Sequence, residues 1–121
     1  MDTTRVSPNF LRSEFACQCG CGFDTVDVST IEVVQAVRDH FGVPVTINSG
    51  CRCPEHNRAV GGAEHSQHVL ARAADIAVRG VSPDTVHDWI AEQYPSASLG
   101  RYRTFTHVDT RTGGPARWDN R

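Results

Sequence analysis

Three residues in this chain have the chemistry of metal ligands and a spacing that lets them meet. His68 is followed on the seventh residue by Asp75, and imidazole and carboxylate are both good ligands for a divalent ion such as zinc. Between them lie Ala71, Ala73 and Ala74, side chains too small to hold one backbone segment away from another. That composition suits a loop carrying His68 and running into a buried strand carrying Asp75. A third ligand comes late, in Phe105-Thr106-His107-Val108-Asp109, where strand alternation would put Phe105, His107 and Asp109 on one face. Three protein ligands and one open position is the arrangement of a catalytic zinc, whereas structural zinc sites are closed by four. The bland alternative for each histidine is a hydrogen bond within the core.

The elements that would position these residues can be read in order. Residues 1–9 read as a loose arm, with Phe10, Leu11 and Phe15 as apolar anchors and a short turn at Ser13-Glu14. Ser29 followed by Glu32 is a capping box, and Ile31, Val34, Val37 and Phe41 recur at helical spacing. Gly42 ends that helix, with Pro44 just beyond. Val45-Thr46-Ile47-Asn48 is a β-branched run that would deliver Ser49, Gly50 and Arg52 to the site. Pro54 opens a short helix through Ala59, stopped by Gly61-Gly62. Residues 73–78 read as a strand, and Ser82-Pro83-Asp84 starts a helix whose buried face is Val86, Trp89, Ile90 and Tyr94. Residues 98–101 and 105–110 read as strands joined through 102–104, and the tail beyond Gly113 as turns with Trp118 as a packing anchor. The fold class expected is α+β, a small and mainly antiparallel sheet with helices packed on one side, in a single domain over residues 1–121.

Taken together, Ser66-x-His68-x-x-x-x-Ala73-x-Asp75 and the later His107-Val108-Asp109 resemble the zinc D-Ala-D-Ala carboxypeptidases and peptidoglycan endopeptidases of the peptidase M15 family, whose fold relatives include the Hedgehog signalling domain. Ser49-Gly50-Cys51-Arg52-Cys53-Pro54-Glu55-His56-Asn57 and Val60-Gly61-Gly62 also match its small phage-type and murein-type members. The chain departs from the pattern at Ala71, where the family usually has glycine, and at Cys51, where it usually has an aromatic residue.

The resemblance implies one catalytic Zn2+ held by His68, Asp75 and His107, lowering the pKa of bound water to roughly 7 and polarising a scissile carbonyl. It implies hydrolysis of amide bonds in peptidoglycan stem peptides or cross-links, as in cell-wall lysis or remodelling. Arg52 is then the candidate for gripping a substrate carboxylate, through two parallel hydrogen bonds. Ser66 would orient the loop or bond the substrate. Many relatives carry a carboxylate three residues before the last histidine ligand, and here that position is Thr104. Asp109 is the nearest acid; it is the general base or a partner orienting a histidine ring. The missing acid keeps a rival alive, a non-catalytic zinc-stabilised binding or virion structural domain of the same fold. His65 reads as incidental, and His40, His56 and His87 as solvated or capping residues on helices.

Composition bounds the rest. A chain of 121 residues with a hydrophobic fraction of 39% and no long apolar run has no membrane span. A net charge of -2 leaves no electrostatic footprint for nucleic acid, and a monomer is expected. The amino terminus has no basic region followed by an apolar stretch, so no secretory signal is expected; the protein would be cytoplasmic, or phage-encoded and delivered to the wall by another route. Cys17, Cys19 and Cys21 alternate, as do Cys51 and Cys53. They stand as a second structural metal site, a disulfide link between the two clusters, or ordinary free cysteines.

Overall fold

The computed structural model describes residues 4–121. It is α+β, with a five-stranded sheet as its centre. Two short strands, β1 (Arg5–Ser7) and β2 (Phe10–Leu11), form a separate antiparallel pair ahead of helix α1 (Val28–Phe41). Then come β3 (Val45–Ser49), α2 (Pro54–Ala59), β4 (Ala73–Val78), α3 (Pro83–Gln93), β5 (Ser98–Arg101), β6 (Thr106–Asp109) and β7 (Arg117–Asp119). The sheet order is β3-β4-β6-β5-β7, antiparallel throughout except for the β5–β7 edge, which is parallel.

Alternation along the strands divides the sheet into two chemically distinct faces. Ala74, Ile76 and Val78 of β4, Leu99 of β5 and Val108 of β6 pack against Val33, Val34 and Val37 of α1 and Val86 and Ile90 of α3. Burying aliphatic side chains of this size contributes about 1.5–3 kcal/mol each, so this face holds the fold. The intervening residues, Asp75 and His107, point the other way and are direct cross-strand partners. Stability and chemistry therefore occupy opposite sides of the same strands.

The helix signals act as read, with one displacement. Gly42 caps α1 in the left-handed region (φ 67°), its N–H reaching the Arg38 carbonyl at 2.9 Å. The N-cap, however, is Asp27, whose carboxylate accepts from the Ser29 N–H at 2.9 Å; the expected Ser29–Glu32 capping box gives way to a charged acceptor two residues earlier. Ser82 caps α3 by accepting from the Thr85 N–H.

Three expectations need correction. The arm is not loose over residues 5–7, which pair with β2, and Ser7 bonds the Gln35 side chain of α1 at 2.7 Å; residues 1–3 lie outside the described residues. The tail is more than turns, because Arg117–Asp119 adds a parallel strand to β5. His87 is buried rather than solvated, whereas His40 is exposed as expected, its ring stacked on Trp89 with centroids 4.5 Å apart.

Two backbone positions shape the loop side of the sheet. Ala71 is buried at φ 60°, a left-handed conformation that glycine adopts without the Cβ penalty. The departure from glycine at this position is thus a small stored strain beside His68. Gly50 packs directly on Phe15: a Cβ there would come within 2.6 Å of the Phe15 Cα and closer still to its carbonyl oxygen. That carbonyl also accepts from Cys51 N–H at 2.9 Å, so neither backbone can give way without losing the bond. Gly50→Ala is expected to lower stability by about 1–3 kcal/mol, the range of overpacked sites, and a denaturant titration showing an unchanged midpoint would contradict this contact.

Candidate metal centre

The site is assembled from the polar face of the sheet and the loop that precedes β4. Asp75 sits mid-β4 and faces His107 on β6 in register. On its other side Asp75 pairs with Ser49, across an irregularity between Ile47 and Ser49 that bends the end of β3. The chain then passes Gly50 and Arg52 and returns through turns to His68, tied by the Arg52 N–H to the His68 carbonyl at 3.0 Å. His68, Asp75 and His107 are all buried, and their ligand atoms lie within 4.8 Å of one another. Asp75 Oδ1 is 3.2 Å from His68 Nε2 and 2.9 Å from His107 Nδ1.

The outward-facing ring nitrogens decide what the inward ones present. His68 Nδ1 lies 2.6 Å from the Gly50 carbonyl, which can only accept, so this nitrogen carries the hydrogen. In the neutral ring His68 Nε2 then directs a lone pair at Asp75. His107 Nε2 lies 2.7 Å from Asp109 Oδ2 and donates to it, which in the neutral ring leaves a lone pair on His107 Nδ1. Two lone pairs and a carboxylate oxygen thus converge on one buried point, an arrangement that repels itself unless positive charge lies between.

Without an ion, that charge can come from a proton on the rings, and the titration tendencies follow from this. Burial pushes the Asp75 carboxyl up, but bonds from His107 and His68 outweigh it and hold the group well below the usual carboxylate range. Burial disfavours charge on His107, yet the carboxylates of Asp109 and Asp75 raise its pKa. A divalent cation fits this donor set, with each histidine fixed by a carbonyl or carboxylate on its far nitrogen.

Asp109 is fully buried, and its carboxylate is completely engaged. Oδ2 takes the His107 ring and Arg111 Nη2 at 2.7 Å, and Oδ1 takes Arg111 Nε at 2.8 Å and the Arg111 N–H at 3.2 Å. Burial would raise its pKa, but Arg111 and then His107 keep it ionised far below the usual range. It stands behind His107, on the side of the ring that faces away from Asp75.

Arg52 is at the mouth of the site. Its guanidinium bonds Ser49 Oγ at 3.3 Å and Asn57 Oδ1 at 3.0 Å, and reaches Asp75 Oδ2 at 3.5 Å. Ser66 Oγ accepts from the His68 N–H at 3.2 Å, an arrangement that shapes the loop around the ligand. Thr104 is exposed in the bend between β5 and β6.

Arg52, Ser66, His68, Asp75 and His107 open onto a cleft of about 460 Å3 lined also by His65, Gln67, Tyr102, Phe105, Arg111 and Trp118. His65, set aside in the sequence, is therefore part of the wall. Trp118 was legible only as an anchor; β7 carries it over Gly100, the cross-strand partner of His107, and its ring lies 4.9 Å from the His107 ring. A Cβ at position 100 would meet the indole at 2.5 Å, so the glycine makes the room. Trp118 also donates to the Tyr102 hydroxyl at 2.9 Å, and Arg111 lies 5.6 Å over its ring. The Gln67 side-chain oxygen Oε1 is buried without a hydrogen-bond partner among the described residues. No signal in the local sequence joins Tyr102, Arg111 or Trp118 to the site; the pairing of β5, β6 and β7 brings them there.

A family model described as Peptidase M15 matches residues 8–109. A search of curated proteins returns no match.

Proposed function

From the premise that the chain belongs to the peptidase M15 family, a metallopeptidase family, we propose that it hydrolyses amide bonds in peptidoglycan stem peptides or their cross-links. The observation that carries this reading is the convergence of His68, Asp75 and His107 on one buried point, with both far ring nitrogens anchored and an open cleft in front. His68 Nε2, an Asp75 oxygen and His107 Nδ1 would hold a zinc ion. When bound, that ion supplies Lewis-acid polarisation of a carbonyl and an activated water.

The chain's own residues orient and select. Gly50 and Asp109 fix the tautomers of the two histidines, so that each turns a lone pair inward. Arg111 keeps Asp109 ionised and hence acceptor-only. Arg52 contributes a guanidinium at the cleft mouth, suited to a carboxylate on the stem peptide. Tyr102, Phe105 and Trp118 form an aromatic wall; Tyr102 and Phe105 stack with centroids 4.3 Å apart. Of the two readings of Asp109, its geometry favours the positioning role, since its oxygens are spent on His107 and Arg111.

One observation favours a second reading, a zinc-stabilised binding domain without catalysis. Among the described residues the cleft offers Asp75 but no free carboxylate, because Asp109 is engaged and Thr104 stands where relatives carry an acid. An enzyme on this scaffold would draw its proton acceptor from elsewhere, and His65 is the imidazole on that wall outside the metal-facing pair. Release of muropeptides from purified peptidoglycan, lost with chelator and restored by zinc, is the expected result. Absence of release across peptidoglycans of differing stem peptide would leave the binding domain.

Arg52 provides a sharper test of substrate class. Arg52→Lys is expected to lower kcat/KM on stem-peptide substrates about 10-fold or more, because an ammonium cannot reproduce the two-bond fork, while zinc content stays at the parental level. An Arg52→Ala variant with parental kcat/KM would remove Arg52 from substrate recognition.

A further inference from the structure

A second cluster of soft ligands lies on the loop side, outside the cleft. The sulfurs of Cys17, Cys19, Cys21 and Cys53 lie within 4.8 Å of one another. Cys17 Sγ is 3.5 Å from Cys19 Sγ, and Cys19 Sγ is 3.6 Å from Cys53 Sγ. Fully extended chain would set alternate residues nearly 7 Å apart, too far for three sulfurs to share one centre. Gly20 and Gly22, at φ 80° and 93°, curl the loop so that the three alternating thiols turn inward. The loop is closed by the Cys17 N–H on the Phe23 carbonyl at 2.7 Å.

The fourth sulfur comes from a distant part of the chain, and the choice between Cys51 and Cys53 is unambiguous. Cys51 points away, buried with its thiol donating to the Phe23 carbonyl at 3.1 Å. Cys53 points into the cluster and accepts from the His56 N–H at 3.4 Å, while its own N–H reaches Cys17 Sγ at 3.4 Å. Backbone N–H groups aimed at sulfur are the outer contacts that support thiolate ligands.

We propose that Cys17, Cys19, Cys21 and Cys53 form a closed four-sulfur site for a structural zinc ion. Four thiolates from one tight loop and one distant segment make a tetrahedral soft-ligand set with no open position. The ion would clamp residues 17–21 to the segment that carries Gly50 and Arg52, and so brace the groups that orient His68 and face the cleft. Deprotonation of the four thiols accompanies binding, the protons passing to solvent. The inference rests on the sulfur geometry alone and stands whether or not the cleft is catalytic.

The test is metal analysis of the whole protein purified in the presence of zinc. Two zinc ions per chain are expected, with Cys19→Ser/Cys21→Ser losing one and keeping the other, and Cys51→Ala keeping both. Cobalt(II) exchange should give intense sulfur-to-metal charge-transfer bands, which the His68, Asp75 and His107 centre cannot produce. In the parent protein the exposed thiols of Cys19 and Cys21 should resist alkylation until a chelator is added, a readout that needs no variant. Immediate alkylation of both without chelator, paired thiols by mass in the unreduced protein, or cobalt spectra without sulfur bands would each overturn the proposal.

Discussion

His68→Ala is expected to lose one zinc ion per chain and to bring peptidoglycan turnover down to the background of the metal-free protein. The side chain supplies one of three inward donors, and the remaining pair, Asp75 and His107, already lie 2.9 Å apart. With His68 gone they can close on a proton instead of an ion. The Gly50 carbonyl also loses its donor, at a cost of about 1–3 kcal/mol for a buried acceptor left unsatisfied. A thermal melt should therefore accompany the metal analysis, to separate lost ligation from lost fold. Because the four cysteine sulfurs use no atom of His68, their ion should remain, and the measured change is from two equivalents to one. Parental zinc content in a folded His68→Ala protein would count decisively against the centre.

The second large effect is expected at Asp109. Its two oxygens accept four hydrogen bonds, from His107, from Arg111 twice and from the Arg111 N–H. Asparagine keeps one oxygen and replaces the other by an amide that donates. Whichever way the amide is turned, a donor faces a donor, either the His107 ring or the arginine fork. If Asp109 positions His107, Asp109→Asn weakens zinc affinity by about 10–100-fold, with turnover partly recovered by added zinc. If it is instead a general base, zinc is retained and turnover falls by roughly 10²–10⁴-fold. Zinc affinity and turnover measured on this one variant distinguish the roles, and the engaged carboxylate leads us to expect the first.

The parts of this fold that could be read from the sequence are those with local causes. Pro54 and Pro83 start helices because their fixed φ suits a first turn, and α2, β4 and the N-cap Ser82 fall where their residues indicate. The alternation in residues 105–109 reports a strand with two different faces, and His107 and Asp109 do share one. What escaped has non-local causes. β7 is three residues, Arg117-Trp118-Asp119, with no periodicity to read; it is a strand because β5 offers an edge. The role of Asp109 turns on Arg111, whose reach to the carboxylate depends on the backbone after β6. His87 is buried only because α3 lies on the sheet, and His65 joins the cleft only through the turns before His68. Among the cysteines, composition supplies five thiols, but only the fold turns Cys53 inward and Cys51 away.

The sheet order has a consequence for how the chain is made. β6 lies in the middle of the sheet but is translated after every strand except β7. Roughly thirty residues separate the end of β4 from the end of β6, which at about 5–20 residues per second leaves a nascent chain waiting for some seconds. During that interval the edge of β4 that will receive β6 is unpaired, and an open edge whose core face is Ala74, Ile76 and Val78 can recruit other chains. It also carries Asp75 without His107, so the metal centre is incomplete until the ribosome has passed Asp109. Pairing of β6 with β4 thus closes the edge and completes the His68, Asp75 and His107 centre in one step, whereas the cysteine cluster has all its sulfurs by Cys53.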